Sequence, residues 1–257
     1  MRDRKFGVEI ECGHRTGNTA RVRELLVREV AEGNIDRRWV RSGSVGSDGT
    51  LVEIRSPILA GKAGFSELRK VMKLLTDTGG YVTSYDGMHV HHDAPEFVGN
   101  LELTRELVRS WVANRKNIEK FVARDRWDNG ACSAWSGESL NLLESAKKFG
   151  THREILTTPD GYTYEKYFAY GRRDLNISAL EEHGTVELRL HEGCLDFERA
   201  EAWIRFGQAF LNKVANGKKA VPECENYDEL LRRLRVAQVA RERLSVRAAD
   251  RYGEVRV

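Results

Sequence analysis

Hydrophobic and polar residues alternate along several short stretches of the chain. A two-residue period places successive side chains on opposite faces and is typical of β-strands with one buried face. The stretches that show it are residues 5–12, 39–57, 88–93, 175–180 and 185–191, and a Ser-Asp-Gly turn divides the second into a hairpin. Because strands that are polar on one face suit antiparallel pairing, the pattern predicts an antiparallel sheet.

Between these strands, apolar residues recur three and four positions apart, which is the spacing of amphipathic helices. Predicted helices end at Gly33, Gly79 and Gly217, and another spans residues 101–123. Antiparallel strands mixed with such helices predict an α+β fold. Residues 124–170 are rich in Gly, Ser, Asn and Tyr and show no sustained period. They are predicted to form loops and short elements, which often carry function.

Composition narrows the class of protein. The 257 residues are 40% hydrophobic and carry a formal net charge of +3, which predicts a folded domain and excludes a disordered chain. No stretch approaches the roughly 18 apolar residues of a membrane span, and residues 1–12 lack the apolar core of a signal peptide. The four cysteines form no Cys-x-x-Cys pair, which argues against a disulfide framework or a cysteine zinc site. We therefore expect a cytoplasmic protein without a membrane partner.

Positive charge is concentrated near the end of the sequence. Residues 227–257 contain eight arginines against five acidic residues, whereas the whole chain is nearly balanced, which argues against a dedicated nucleic-acid-binding protein. An apolar stripe at helical spacing runs along this stretch, formed by Leu230, Leu231, Leu234 and Leu244. We predict a catalytic domain over residues 1–217 and an arginine-rich helical extension over residues 218–257. The extension is expected to dock on the domain, with an oligomer contact or a patch for an acidic partner as alternatives.

Four of the predicted strands carry chemically active side chains two residues apart, so each set points to one face. The sets are Glu9 with Glu11, Glu53 with Arg55, His89 with His91 and Asp93, and Glu187 with Arg189 and His191. Each set alone is typical of a solvated strand or a structural ion pair. On one sheet, the four glutamate carboxylates would repel one another without cations, and carboxylate with imidazole ligands suits Mg²⁺ or Mn²⁺. The two arginines suit a phosphate-bearing substrate.

The same stretches resemble a known family. GVEIE, SDGTLVEIRSP, GMHVHHD, and NISAL followed by HGTVELRLHEGCLD resemble the amidoligases, carboxylate–amine ligases with the glutamine synthetase and glutamate–cysteine ligase type of fold. GMHVH is similar to the GMHCH stretch of glutamine synthetase, and VELRL to its EFR stretch. The resemblance runs in order from residue 6 to residue 203. It leaves residues 124–170 and the arginine-rich extension without a match.

The resemblance implies a funnel-like site on a curved, mainly antiparallel sheet, with helices packed on the other face as in the glutamine synthetase catalytic domain. ATP would enter one end, and two or three Mg²⁺ or Mn²⁺ ions would lie between ATP and the acceptor. The implied metal ligands are Glu9, Glu11, Glu53, His89 and Glu187. His91 would lie near the nucleotide phosphates or the acceptor, and Arg189 would contact the transferring phosphoryl group. Arg55 would orient the substrate carboxylate, and Arg173 and Asn176 would contact nucleotide or substrate.

The activity implied by the resemblance is ligation that consumes ATP. Transfer of the γ-phosphoryl group to a substrate carboxylate gives an acyl phosphate, which an amine attacks to leave an amide or isopeptide bond. The partners would be a small-molecule or peptide carboxylate and an amine. Two other classes stay open: a metal-dependent hydrolase of an amide or phosphoester, and a non-catalytic module that binds a nucleotide or a partner protein. A phosphotransferase to a guanidino group is a further variant within the ATP-using class.

Overall fold

Seven strands form one sheet in the computed structural model, which describes residues 3–15, 19–41, 45–48, 51–127, 129–146 and 173–253. The strands of this described part are β1 (Phe6–His14), β2 (Val45–Asp48), β3 (Leu51–Arg55), β4 (Gly80–Tyr81), β5 (Met88–Asp93), β6 (Leu175–Asn176) and β7 (Thr185–Leu188). Six of them lie in the order β2-β3-β1-β5-β7-β6, and β4 pairs with the end of β1. Every pair is antiparallel, which confirms the predicted pairing and the hairpin.

Helices of very different length surround the sheet. They are α1 (Thr19–Ala31), α2 (Gly61–Asp77), α3 (Leu101–Ile118), α4 (Gly137–Ser145), α5 (Ala179–His183), α6 (Phe197–Gly217), α7 (Tyr227–Leu234) and α8 (Gln238–Gly253). Short 3₁₀ turns occupy Arg37–Val40, Glu119–Phe121 and Arg124–Arg126. The α+β class is therefore confirmed, while the curved, funnel-like shape stays a prediction. Within the described ranges, no helix has both the length and the apolar character needed to cross a lipid bilayer.

One face of the sheet is dry. Val8, Ile10, Val90 and Leu188 are fully buried on it, and burying side chains of this size contributes about 1.5–3 kcal/mol each. Helix α6 approaches this face closely at Gly207, where an added Cβ would lie 2.7 Å from Cδ1 of Leu188. The alternation of the strands then leaves the intervening side chains on the opposite face. The core thus fixes which residues can meet on the polar face.

The structure differs from the expected elements at several places. The stretch predicted as strand from residue 39 begins within the 3₁₀ turn Arg37–Val40, the helix predicted over residues 101–123 ends at Ile118, and the strand predicted over residues 185–191 ends at Leu188. The strand predicted over residues 175–180 stops at Asn176, because its Oδ1 accepts a hydrogen bond from the Ser178 amide at 2.9 Å and the chain turns into α5. The C-terminal stretch forms two helices, because Arg235 takes a left-handed conformation with φ of 57° and ends α7. Its four stripe leucines are buried, and the division into two domains stays a prediction. Most of the predicted loop region, residues 147–170, lies outside the described residues.

The Asn100 side chain caps α3, and its loss should be measurable. Oδ1 of Asn100 accepts a hydrogen bond from the Leu103 amide at 3.1 Å, which satisfies one of the otherwise free N–H groups of the first turn. We expect Asn100→Ala to lower the free energy of unfolding by about 1 kcal/mol, measured by urea denaturation. Asn100→Asp keeps an acceptor and is the matched control. Equal losses in both variants would contradict a role for the cap.

Candidate functional site

Strand register brings the predicted polar residues onto one face. In the sheet, Glu9 of β1 lies opposite Arg55 of β3 on one side and opposite His89 of β5 on the other. Glu11 lies opposite Glu53. Directly opposite residues of an antiparallel pair share a face and have Cβ atoms about 5 Å apart. The five side chains therefore converge across three neighbouring strands.

The register between β5 and β7 adds two more residues. His91 lies opposite Glu187, and together with Glu9 they offer ligand atoms that all lie within 4.8 Å of one another. We call Glu9, His91 and Glu187 the trio. Nε2 of His91 is 3.9 Å from Oε1 of Glu9 and 3.7 Å from Oε1 of Glu187. Nδ1 of the same ring is 3.0 Å from the Thr185 hydroxyl, which fixes the direction of the imidazole.

His89 lies among the carboxylates and is 4% exposed. Its Nδ1 is 3.3 Å from Oε2 of Glu9 and 3.8 Å from Oε1 of Glu187. Its Nε2 is 3.8 Å from Oε1 of Glu11. Three of the four predicted carboxylate ligands therefore surround this imidazole, and the fourth, Glu53, lies opposite Glu11 on β3.

Two arginines neutralise part of this negative charge. Nε of Arg55 lies 3.5 Å from Oε1 of Glu9, and its Nη2 lies 2.5 Å from Oε1 of Glu53. Nη1 of Arg189 donates to Oε1 of Glu187 at 2.6 Å. The Arg55 side chain is half-exposed, while that of Arg189 is mostly buried. Both guanidiniums border the trio, one at each side.

The two weaker candidates are placed differently. Asn176 is buried, and its Nδ2 donates to Oε2 of Glu187 at 2.6 Å, so it orients this carboxylate. Arg173 instead donates to the carbonyl oxygen of Ala134 at 2.7 Å and to the Ser139 hydroxyl at 2.8 Å. The structure thus joins Asn176 to the site and directs Arg173 toward a neighbouring loop and helix. Contacts of either with a nucleotide stay a prediction.

Burial and neighbouring charges shift the acidity of the site. Burial raises the pKa of Glu9, but the hydrogen bond with His89 and the electrostatic interactions with His89, His91 and Arg55 bring this pKa to about 2. Burial and the Glu9 carboxylate raise the pKa of Glu53, against the effect of Arg55. Burial also lowers the pKa of His91, which favours the neutral imidazole. An ionised carboxylate and a neutral imidazole are the forms that bind metal ions.

Sequence reasoning missed two residues of the site. Arg126 is 1% exposed, and its Nη2 donates to the Arg189 carbonyl oxygen at 3.0 Å. The Gly87 amide donates to Oε2 of Glu11 at 2.7 Å, and a Cβ at Gly87 would lie 2.9 Å from Nε2 of His89 and 3.0 Å from Nη2 of Arg126. Any larger residue at Gly87 would therefore displace the ends of these side chains. Gly87 stands within a recognised motif, whereas Arg126 lies in the stretch without a period or a match.

The donor set fits a hard divalent cation. Carboxylate oxygens with an imidazole nitrogen suit Mg²⁺ or Mn²⁺, which prefer oxygen ligands. Cysteine is not part of this set among the described residues, because Cys12 faces the core and burial raises the pKa of its thiol to about 12. Such a site can hold phosphate oxygens through bound cations and through the flanking guanidiniums.

Comparison with known proteins identifies similar sequences and structures. Residues 35–211 match a family model described as "Putative amidoligase enzyme". No curated protein matches the chain. One solved structure that the chain matches is the crystal structure of a bifunctional glutathione synthetase from Pasteurella multocida, with 10% sequence identity and a TM-score of 0.45. That similarity covers 96% of this chain and 48% of the synthetase, so the chain spans about half the length of this structural relative.

Proposed function

This chain belongs to the amidoligase family, and from that premise we propose that it is an ATP-dependent ligase that joins a carboxylate to an amine. One observation carries the proposal: carboxylate and imidazole groups from β1, β5 and β7 meet within 4.8 Å, between two arginines. Enzymes accelerate phosphoryl transfer mainly by positioning the reactants and placing positive charge around the phosphoryl group, with little covalent catalysis. Bound cations and the two arginines of this site would supply that charge.

The trio would hold one divalent cation, and Glu11, Glu53 and His89 would complete the environment of that ion or hold another. When bound, Mg²⁺ or Mn²⁺ would neutralise phosphate oxygens and the charge that develops during transfer. Asn176 keeps the Glu187 carboxylate in place through its 2.6 Å hydrogen bond. The Thr185 hydroxyl does the same for the His91 ring. The protein therefore orients its ligands before any substrate arrives.

The two arginines would act on the substrates. Arg189 is held by Glu187 and presents fixed positive charge beside the trio, where a transferring phosphoryl group would lie. Arg55 lies between Glu9 and Glu53 and is half-exposed, so the solvent-facing side of its guanidinium would orient the substrate carboxylate. Transfer of the γ-phosphoryl group to that carboxylate would give an acyl phosphate and release ADP. Attack by the amine, which loses a proton, would then release phosphate and form the amide. The glutamine synthetase type of fold and a cytoplasmic location belong to the same proposal.

Phosphate release from Mg²⁺-ATP tests the proposed reaction. Purified protein is incubated with ATP and a mixture of amino acids and amines, and then with the carboxylates or the amines omitted. We expect release that requires both, together with an amide product detected by mass spectrometry. ATP-independent hydrolysis of amides or phosphoesters would favour the hydrolase. Neither turnover nor ATP binding with Mg²⁺ or Mn²⁺ would overturn the proposal.

A further inference from the structure

The backbone at Arg189 lacks one hydrogen bond of a regular sheet. Strand β7 ends at Leu188, and the amide of the next residue, Arg189, donates to the Asp174 carbonyl oxygen at 2.9 Å. In a hydrogen-bonded antiparallel pair the two residues exchange both bonds, so the Asp174 amide would normally donate to the Arg189 carbonyl oxygen. It donates instead to the Ser133 carbonyl oxygen at 3.0 Å. The Arg189 carbonyl oxygen therefore needs a donor from outside the sheet.

Arg126 supplies this donor. Its Nη2 donates to the Arg189 carbonyl oxygen at 3.0 Å, although the two residues stand 63 positions apart in the chain. The same segment also contacts the Arg189 side chain, because the Ala131 carbonyl oxygen accepts a hydrogen bond from its Nε at 3.3 Å. Sγ of Cys132 donates to the Arg126 carbonyl oxygen at 3.3 Å, which ties the segment together. Both the backbone and the guanidinium of Arg189 are therefore held by the segment that carries Arg126 and Ala131.

The Arg126 side chain is 1% exposed, and its Nε has no hydrogen-bond partner within the described residues. Burying a guanidinium in this way costs free energy unless nearby negative charge compensates it. The Cβ position of Gly87 lies 3.0 Å from Nη2 of Arg126. The same point lies 2.9 Å from Nε2 of His89 and 3.2 Å from Oε2 of Glu11. The guanidinium therefore borders two predicted metal ligands, while it is too deeply buried to contact a substrate.

We infer that Arg126 is a positioning residue of the ligase, which holds Arg189 toward the trio, where the phosphoryl group would be transferred. This inference rests on the proposed function and adds a residue that no motif of the sequence contains. The ion pair with Glu187 fixes Nη1 of Arg189, and Arg126 fixes the backbone from which that side chain projects. A displacement of about 1 Å in a group that acts on the reacting atoms can lower the rate by about 100-fold.

Steady-state kinetics of phosphate release compare the wild type with Arg126→Met and Arg126→Lys. Methionine fills part of the buried space but removes the charge and the donor, whereas lysine keeps both. We expect Arg126→Met to lower kcat by about 100-fold and to leave KM for ATP within about threefold of the wild type, because the lost orientation acts on the transferring group. Arg126→Lys should recover at least about tenfold of this loss, which a role in packing alone would not produce.

The Nε–H resonance of Arg189 reports the position of this side chain without turnover. It is recorded by ¹H–¹⁵N NMR on protein labelled at arginine, and it is assigned as the resonance that disappears in Arg189→Lys. We expect it to shift or broaden in Arg126→Met, because the backbone that carries Arg189 loses a hydrogen bond. It should return toward its wild-type position in Arg126→Lys.

Arg105→Met is the matched control, because Arg105 is 9% exposed and its Nε donates to the Leu143 carbonyl oxygen at 3.0 Å, away from the site. It should keep the wild-type kcat and the wild-type Arg189 resonance. An unchanged kcat or an unchanged Arg189 resonance in Arg126→Met would overturn the inference alone, as would equal losses of kcat in Arg126→Met and Arg126→Lys. A wild-type protein that neither releases phosphate nor binds Mn²⁺-ATP would overturn the proposed function, and the resonance would still decide whether Arg126 holds Arg189.

Discussion

Glu187→Gln will lower the rate of substrate-dependent phosphate release by at least about 100-fold. Glu187 is 3% exposed and its two oxygens contact Arg189 and Asn176, so glutamine has room for its atoms but loses the negative charge. Substituting a residue that only supports a metal ligand typically lowers metal affinity or activity by about 10- to 100-fold. Substituting a direct ligand should lower them further. Binding of Mn²⁺, measured by electron paramagnetic resonance, should weaken in parallel.

Glu201→Gln is the matched control for this substitution. Glu201 lies on α6, and its carboxylate accepts hydrogen bonds from the Arg205 guanidinium, so the control makes the same chemical change and breaks an ion pair elsewhere. It should retain wild-type activity. Activity within twofold of the wild type in Glu187→Gln would remove Glu187 from the site. Lost activity with unchanged Mn²⁺ affinity would assign it to holding Arg189 instead.

Gly207→Ala will lower the free energy of unfolding by about 2 kcal/mol or more. In an exposed helix the same change would stabilise by up to about 1 kcal/mol. Here the new methyl group would overlap Nε2 of His92 and lie 2.7 Å from Cδ1 of Leu188, and both side chains are fully buried. Overpacking of this kind typically costs about 1–3 kcal/mol. Urea denaturation followed by circular dichroism measures the change.

Gly217→Ala tests whether the space around Gly207 is the cause. It ends the same helix, and the nearest atom to an added Cβ is Cγ of Lys219 at 3.8 Å, so stability should stay the same or rise slightly. Removing the His92 ring in the double variant Gly207→Ala/His92→Ala should recover part of the loss, as a positive coupling in a double-mutant cycle. Independent, additive effects would contradict a direct clash.

The His92 environment also predicts how stability depends on pH. Burial and the nearby Arg4 charge lower the pKa of His92 to about 3, and neither ring nitrogen has a hydrogen-bond partner within the described residues. In the unfolded chain the His92 imidazole binds a proton near pH 6.5, whereas in the folded chain it does not bind one until near pH 3. The contribution of neutral His92 to the free energy of unfolding is therefore fully present above about pH 6.5, and it is lost as the pH drops toward 3. Urea denaturation of the wild type and His92→Ala between pH 4 and 7 should show a smaller pH slope in the variant.

The sequence was informative wherever a local rule decides the position of a side chain. The two-residue period alone put Glu9 and Glu11 on one face and Val8 and Ile10 on the other. It could not say that Glu9 pairs with His89, because register depends on contacts between distant strands. The family resemblance supplied that grouping through its motifs.

Residues outside the motifs could not be found in this way. Arg126 is the last residue of the 3₁₀ turn Arg124–Arg126, and it reaches the site through its hydrogen bond to the distant Arg189 carbonyl oxygen. Conversely, Arg173 precedes a matching motif, but its guanidinium bonds to Ala134 and Ser139. Proximity in sequence to a motif therefore did not decide which side chains meet.

The strand origins of the trio have a consequence for synthesis in the cell. Glu9 belongs to the first described strand and Glu187 to the last, with β5 and its His91 between them in the sheet. Contacts between residues so far apart along the chain form late, because loop closure must precede them. A nascent chain lacks the Glu187 carboxylate until β7 has left the ribosome. The emerging protein would thus be unable to capture a metal ion in the trio before most of its sheet had folded.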